Sequence, residues 1–142
     1  MSEDVLTEGR CLCGDVTYTL TGKPVGMAQC HCKGCQRATG TGHINNAFFK
    51  TEQFTVKGDL SSHDQEADSG NINRRYFCPK CGSRVYNEIT ARPGVVGVHV
   101  GCADDNSWFD PAFVVFCSER PGWDMTSCDI PNHDKMPPKP KS

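Results

Sequence analysis

No stretch of this chain approaches the roughly 18 consecutive apolar residues of a membrane-spanning helix. An apolar run is also missing behind the acidic start Met1-Ser-Glu-Asp4, so no secretory signal peptide is expected. Basic excess is absent. With 15 Lys and Arg against 17 Asp and Glu, the net charge is -2, and the positive footprint of a nucleic-acid binder is lacking. The one basic concentration, Lys135 to Lys141, is short and proline-rich and reads as a solvated end. No segment sustains a 3.6-residue apolar period, which leaves no helical bundle. Gly40-Thr-Gly42 lacks the third glycine of a dinucleotide fingerprint and the lysine of a P-loop. None of the five histidines has a glutamate two residues on, so the zinc-deaminase pattern is excluded too. Apolar residues make up only 37% of 142 positions, which suits one domain with a modest core.

Cysteine is what the chain has in excess. Seven of its ten cysteines fall in three clusters: Cys11-Leu-Cys13, Cys30-His-Cys32-Lys-Gly-Cys35 and Cys78-Pro-Lys-Cys81. Without a secretory signal, the expected setting is reducing and cytoplasmic, where close cysteines serve as metal ligands more often than as disulfides. A four-coordinate zinc takes four protein ligands when structural and three when catalytic. Seven thiols divide as four plus three, which predicts two zinc ions per chain, one closed and one open. The metal is expected to supply stability that the small core does not.

Around the clusters the pattern is that of strands. Val16, Tyr18 and Leu20 alternate with threonines, and Ile44 to Phe49, Gln53 to Lys57, Asn71 to Phe77, Arg84 to Ile89, Val95 to Val100 and Phe113 to Cys117 follow as short strands. Glycine-rich turns separate them, and one helical turn is allowed after Cys35. The fold class is therefore all-β, a single domain of short antiparallel strands. Residues 1–8 read as a loose lead-in, 9–124 as the zinc domain and 125–142 as an irregular, proline-rich tail.

Cys78-Pro-Lys-Cys81-Gly82 has the form of a zinc knuckle. Cys11 and Cys13, two apart on an extended segment, face one side and could complete its ligand set. Cys30, Cys32 and Cys35 would then share a second metal. Spacing also permits Cys32 and Cys35 to join Cys78 and Cys81, leaving Cys11, Cys13 and Cys30 over, although that interval is longer than the usual ribbon loop.

Three ordered motifs carry a resemblance. Gly9-Arg-Cys11-Leu-Cys13-Gly14-Asp-Val16-x-Tyr18, Cys30-His31-Cys32-x-x-Cys35-Gln-Arg37-Ala-Thr39-Gly40 and Arg75-Tyr-Phe77-Cys78-x-x-Cys81-Gly82-Ser83 resemble the glutathione-dependent formaldehyde-activating enzyme (GFA) family, which includes the centromere protein V (CENP-V) domain. Gly101-Cys-Ala-Asp104-Asp105, Pro111 and Trp123 extend the likeness. The resemblance implies a β-tent fold. It implies a structural zinc on Cys11, Cys13, Cys78 and Cys81, and a catalytic zinc on Cys30, Cys32 and Cys35. It also implies a carbon–sulfur lyase activity: making or cleaving S-hydroxymethylglutathione, or a related small thiol–carbonyl adduct. Where the family usually has Gly-Thr-Leu-Asp-Asp, this chain has Cys102 and Ala103. After Pro111 it has Phe113 in a stretch that commonly holds histidine.

Three thiolates on Zn²⁺ leave a net charge of about -1, less electrophilic than a three-histidine zinc, so the expected role is a thiophilic template for a small-molecule substrate. No proton carrier is evident. His31 is expected to point away from the metal; His43, His63, His99 and His133 have no visible partner. Asp104-Asp105 reads as a turn. Arg37, Arg74, Arg75 and Arg84 read as solvated cations or a clamp for an anionic substrate. Cys117 is expected to be buried. Cys102 and Cys128 stand alone. The alternative to an enzyme is a non-catalytic zinc module that binds a partner protein.

Overall fold

A computed structural model of the chain describes residues 4–125 and 131–138. The elements run β1 (Val5–Arg10), β2 (Thr17–Thr21), β3 (Gly26–Cys30), α1 (Lys33–Thr39), β4 (Ile44–Lys50), β5 (Phe54–Lys57), β6 (Ser61–Glu66), β7 (Ile72–Phe77), β8 (Arg84–Ile89), β9 (Val95–His99) and β10 (Phe113–Val115). The class is all-β, with 42% strand and 12% helix. None of the helices among the described residues is long and apolar enough to cross a membrane.

The chain divides into two units. One comprises the described residues of Met1–Val25 and Ala47–Phe109, the other those of Gly26–Asn46 and Asp110–Ser142. In the first unit β1, β2 and β5 make an antiparallel sheet in the order β1-β2-β5. The end of β4 is followed across a second sheet by β9, β8, β7 and β6. Val16, Leu20, Phe49, Val85 and Val98 are completely buried there. Four aromatic rings join the two sheets: Tyr18 lies 5.5 Å from Phe54, Phe54 4.7 Å from Tyr86, and Tyr86 stacks on Tyr76 at 4.4 Å. Such contacts add about 0.5–1.5 kcal/mol each beyond the area they bury.

In the second unit the strand order is β10-β3-β4, taking β4 at its first half. Here β10 runs parallel to β3, with Val115 opposite Cys30, a departure from the all-antiparallel expectation. Parallel pairing is open to these strands because more than 80 residues separate them, so no tight hairpin constrains them. The expected turn after Cys35 is a seven-residue helix that begins before it.

Three strands were hidden in the sequence. Residues 5–8, expected as a loose lead-in, lie in β1, whose inward residues are Thr7 and Gly9. A side chain at Gly9 would overlap the Tyr18 ring, so the strand carries no apolar alternation to betray it. In β3 the buried position is the small Ala28. In β6 every residue is polar, and pairing with β7 and the Arg74–Asp64 ion pair hold it in place.

His99 closes β9 and is 7% exposed. Burial pulls its pKa down to about 4, against a hydrogen bond to the Arg84 backbone, and the charges of Arg75 and Arg84 add to the fall. Between pH 4 and the ordinary value of 6.5 the unfolded chain binds the proton that the folded chain refuses, so stability rises with pH across that window. The contribution is complete above about pH 6.5 and lost as pH falls toward 4. Urea unfolding of wild type and His99→Phe at successive pH values is expected to show their stability difference changing within that window and flat above it.

Candidate metal centres and the residues around them

The first centre is built from two turns of the first unit. Cys11 follows β1, and Cys78 and Cys81 lie between β7 and β8. The Cys11 and Cys13 sulfurs are 3.6 Å apart, those of Cys13 and Cys78 3.7 Å, and all four sulfurs lie within 4.8 Å of one another. Cys11 to Gly14 form a turn rather than the extended segment expected. The Gly14 N–H donates to the Cys11 carbonyl at 3.1 Å, with Gly14 at φ 85°. The second turn repeats this construction: the Gly82 N–H donates to the Cys78 carbonyl at 2.8 Å, with Gly82 at φ 79°. Both positions favour glycine because a side chain there meets its own backbone. Ser83 ties the turns together, its hydroxyl accepting from the Leu12 N–H at 3.0 Å and lying 3.3 Å from the Cys81 sulfur.

These thiols do not ionise independently. The Ser83 hydroxyl, followed by the backbone amides of Ser83 and Cys13, lowers the Cys81 pKa to about 5. For Cys13 a backbone hydrogen bond at Asp15 pulls downward, but burial and the sulfurs of Cys11, Cys78 and Cys81 push it up to about 12. For Cys11 burial opposes ionisation, yet the Val16 backbone and Cys13 bring it below the ordinary thiol value. Thiolates this close repel, and four can be charged together only around a cation. A soft divalent ion such as zinc fits this donor set.

The second centre lies in the second unit. Cys30 ends β3, Cys32 caps α1, and Cys35 sits in its first turn. The Cys32 sulfur accepts the Cys35 N–H at 3.3 Å, and the His31 N–H donates to the Val115 carbonyl at 3.0 Å. The three sulfurs lie within 4.8 Å of one another. Hydrogen bonding to Cys32 and Cys35, then burial, raises the Cys30 pKa far above the thiol range. This set could likewise hold a metal ion. The structure thus gathers Cys11, Cys13, Cys78 and Cys81 in one place and Cys30, Cys32 and Cys35 in another. It does not bring Cys32 and Cys35 into the Cys78–Cys81 cluster.

Beside the second centre is a group the sequence did not disclose. His31 is wholly buried, its Nδ1 3.0 Å from the Gly42 carbonyl and 3.2 Å from Asp124 Oδ2. The same carboxylate oxygen lies 2.6 Å from His43 Nδ1. The two rings are 5.0 Å apart. Any side chain at Gly42 would collide with the Asp124 carboxyl, so this position is glycine for space rather than for backbone freedom. Asp124 lies 81 residues from His43, and no local pattern announces such a pairing.

The remaining candidates have structural occupations. Asp105 caps its own turn, accepting from the Ser107 N–H at 3.0 Å and hydroxyl at 2.7 Å. Arg74 pairs with Asp64 on the surface, Arg75 is buried and donates to Gln65, and Arg84 lies over the Phe77 ring. Arg37 and His63 are exposed, and the half-buried His133 lies edge-on to Phe113. The Cys102 thiol donates to the Arg84 carbonyl. Cys117, expected to be buried, is half-exposed because the chain turns at Phe116, the one non-glycine residue at positive φ among those described. Cys128 lies outside the described residues.

The family model for glutathione-dependent formaldehyde-activating enzymes matches residues 6–119. A protein of Podospora anserina (strain S), named "Putative glutathione-dependent formaldehyde-activating enzyme", is 28% identical over 119 residues, covering 77% of this chain and 53% of the relative. The chain thus spans about half the length of that curated relative. Among solved structures, a crystal structure of a Rhodobacter sphaeroides protein is similar with a TM-score of 0.56 and 19% identity, over 71% of this chain and 92% of the other. That likeness concerns the fold alone.

In chelated, metal-free protein at pH 7, the half-buried Cys81 is expected to alkylate before the exposed Cys13. Ser83→Ala is expected to slow Cys81 specifically. Timed iodoacetamide labelling with peptide mass spectrometry checks both.

Proposed function

Because the chain belongs to the glutathione-dependent formaldehyde-activating enzyme family, we propose that it is a zinc-dependent carbon–sulfur lyase that makes or cleaves S-hydroxymethylglutathione or a related small thiol–carbonyl adduct. The observation that supports this reading is the unequal size of the two sulfur clusters, four donors in one and three in the other. On it, Cys11, Cys13, Cys78 and Cys81 hold a structural zinc, and Cys30, Cys32 and Cys35 hold a second whose fourth position is left for substrate. The residues involved lie within 9–124, the zinc domain. A cytoplasmic location accompanies the reading, since a reducing compartment keeps the thiols available to metal.

A zinc ion held by Cys30, Cys32 and Cys35 would supply a thiophilic Lewis acid. The chain's own residues do the rest. Cys32 sets the helix start and so fixes Cys35 relative to itself through the 3.3 Å bond from the Cys35 N–H. Pairing of Val115 with Cys30 and the His31 N–H bond to Val115 fix the strand end that carries Cys30. Three sulfurs are thereby held by a strand and a helix rather than by a free loop, the condition for a pre-organised site.

Native mass spectrometry of protein prepared without added zinc or chelator is expected to show two zinc ions per chain. Cys32→Ser is expected to lose one of them, and to lose more thiol–formaldehyde turnover than the ~10–100-fold typical of removing an outer partner of a metal site. Full zinc and full turnover in Cys32→Ser would overturn the assignment. Two zinc ions with no turnover on any thiol–aldehyde pair would leave a partner-binding zinc module instead.

A further inference from the structure

The cluster of His31, His43 and Asp124 is used by none of the ligand assignments above. Its three ligand atoms are close enough to suggest a further metal site. The distances argue otherwise. Two ligands on one tetrahedral ion with arms of ~2.0–2.1 Å stand about 3.3 Å apart. His43 Nδ1 and Asp124 Oδ2 are 2.6 Å apart, the length of a charge-assisted hydrogen bond. An ionised carboxylate only accepts, so the proton lies on His43 Nδ1. The Gly42 carbonyl also only accepts, so His31 Nδ1 carries a proton as well. In its neutral form each ring then carries its lone pair on Nε2.

The two Nε2 atoms differ in access. That of His31 is sealed inside the protein and lacks a hydrogen-bond partner among the described residues. The His43 side chain is 20% exposed and can meet a small molecule. Its ring lies 5.0 Å from that of His31, the residue between Cys30 and Cys32. Imidazole is the side chain suited both to take and to return a proton near neutral pH.

We infer that His43 is the proton carrier of the Cys30–Cys35 centre and that Asp124 is its positioning residue. The inference rests on the lyase reading above. In the direction of synthesis, the substrate thiol gives its proton to His43 Nε2. The sulfur electron pair then forms the carbon–sulfur bond while the carbonyl π pair moves onto oxygen. The imidazolium returns the proton to that oxygen, giving the hydroxymethyl group. One thiol and one aldehyde are consumed, one adduct forms, and His43 ends as it began. Asp124 holds the tautomer that leaves Nε2 bare and balances the charge while the ring is doubly protonated.

The test has two parts. Two-bond proton–nitrogen NMR on the zinc-loaded wild-type protein is expected to show His43 protonated at Nδ1 and bare at Nε2; the opposite tautomer would overturn the inference whatever the substrate. Initial rates of thiol consumption with glutathione and formaldehyde, taken above the uncatalysed rate, form the second part. His43→Gln is expected to lose ~10²–10⁴-fold, with both zinc ions retained by native mass spectrometry. Added imidazole is expected to restore part of the rate to His43→Ala and none to Cys32→Ser, a pattern that a purely structural histidine would not give. An active wild type with an undiminished His43→Gln would sink this inference alone. A wild type without catalysed thiol consumption would sink the lyase reading and this assignment with it.

Discussion

Sulfur atoms 3.6 to 3.7 Å apart cannot all carry negative charge unless a cation sits among them. The rest of the molecule is arranged around that constraint. At the first centre, two turns closed by Gly14 and Gly82 bring sulfurs from distant parts of the chain together, and Ser83 bonds one turn to the other. Neither turn has a large apolar side chain inside it. The buried groups there are Cys11 and Cys78 themselves. Protons on those thiols, or a metal in their place, decide whether this end of the first unit holds together. A centre of this kind is a folding element as much as a binding site, since binding free energy and folding free energy are then one quantity.

The second centre uses the same donor atom with a different frame. Its sulfurs come from six consecutive residues, fixed by a strand end on one side and a helix start on the other. The intervening residue, His31, lies against a carboxylate and a second imidazole. Surplus polar groups buried together are costly, and a chain that needed only a metal staple could do without them. The first centre carries no such surroundings among the described residues. That asymmetry between two otherwise similar thiol clusters is the physical ground for giving them different work.

Much of this was legible in sequence because metal ligands and turns are local signals. The cysteine clusters, the alternation Val16–Tyr18–Leu20 and the turn at Gly82 each lie within a few residues. Spacing allowed Cys11 and Cys13 to join Cys78 and Cys81 but left a second pairing open, and the resemblance implied the first. What stayed hidden had no local cause. β1 faces inward with a threonine and a glycine, β3 with an alanine, and β6 has no buried apolar residue, so none of them alternates. The parallel register of β10 on β3 depends on residues more than 80 apart. Asp124 shows nothing in its own neighbourhood of the two histidines it serves.

Asp124 has a consequence in time as well as in space. It is added 81 residues after His43, and at ~5–20 residues per second that is an interval of roughly 4–16 s during synthesis. Through that interval the newborn chain has Cys30, Cys32, Cys35, His31 and His43 but not the carboxylate that lies against the two imidazoles. The space kept clear by Gly42 receives the Asp124 carboxyl only after that interval, so the group beside Cys30, Cys32 and Cys35 is completed late. The Gly14–Gly82 centre, whose residues are all present once Ser83 has emerged, can close earlier.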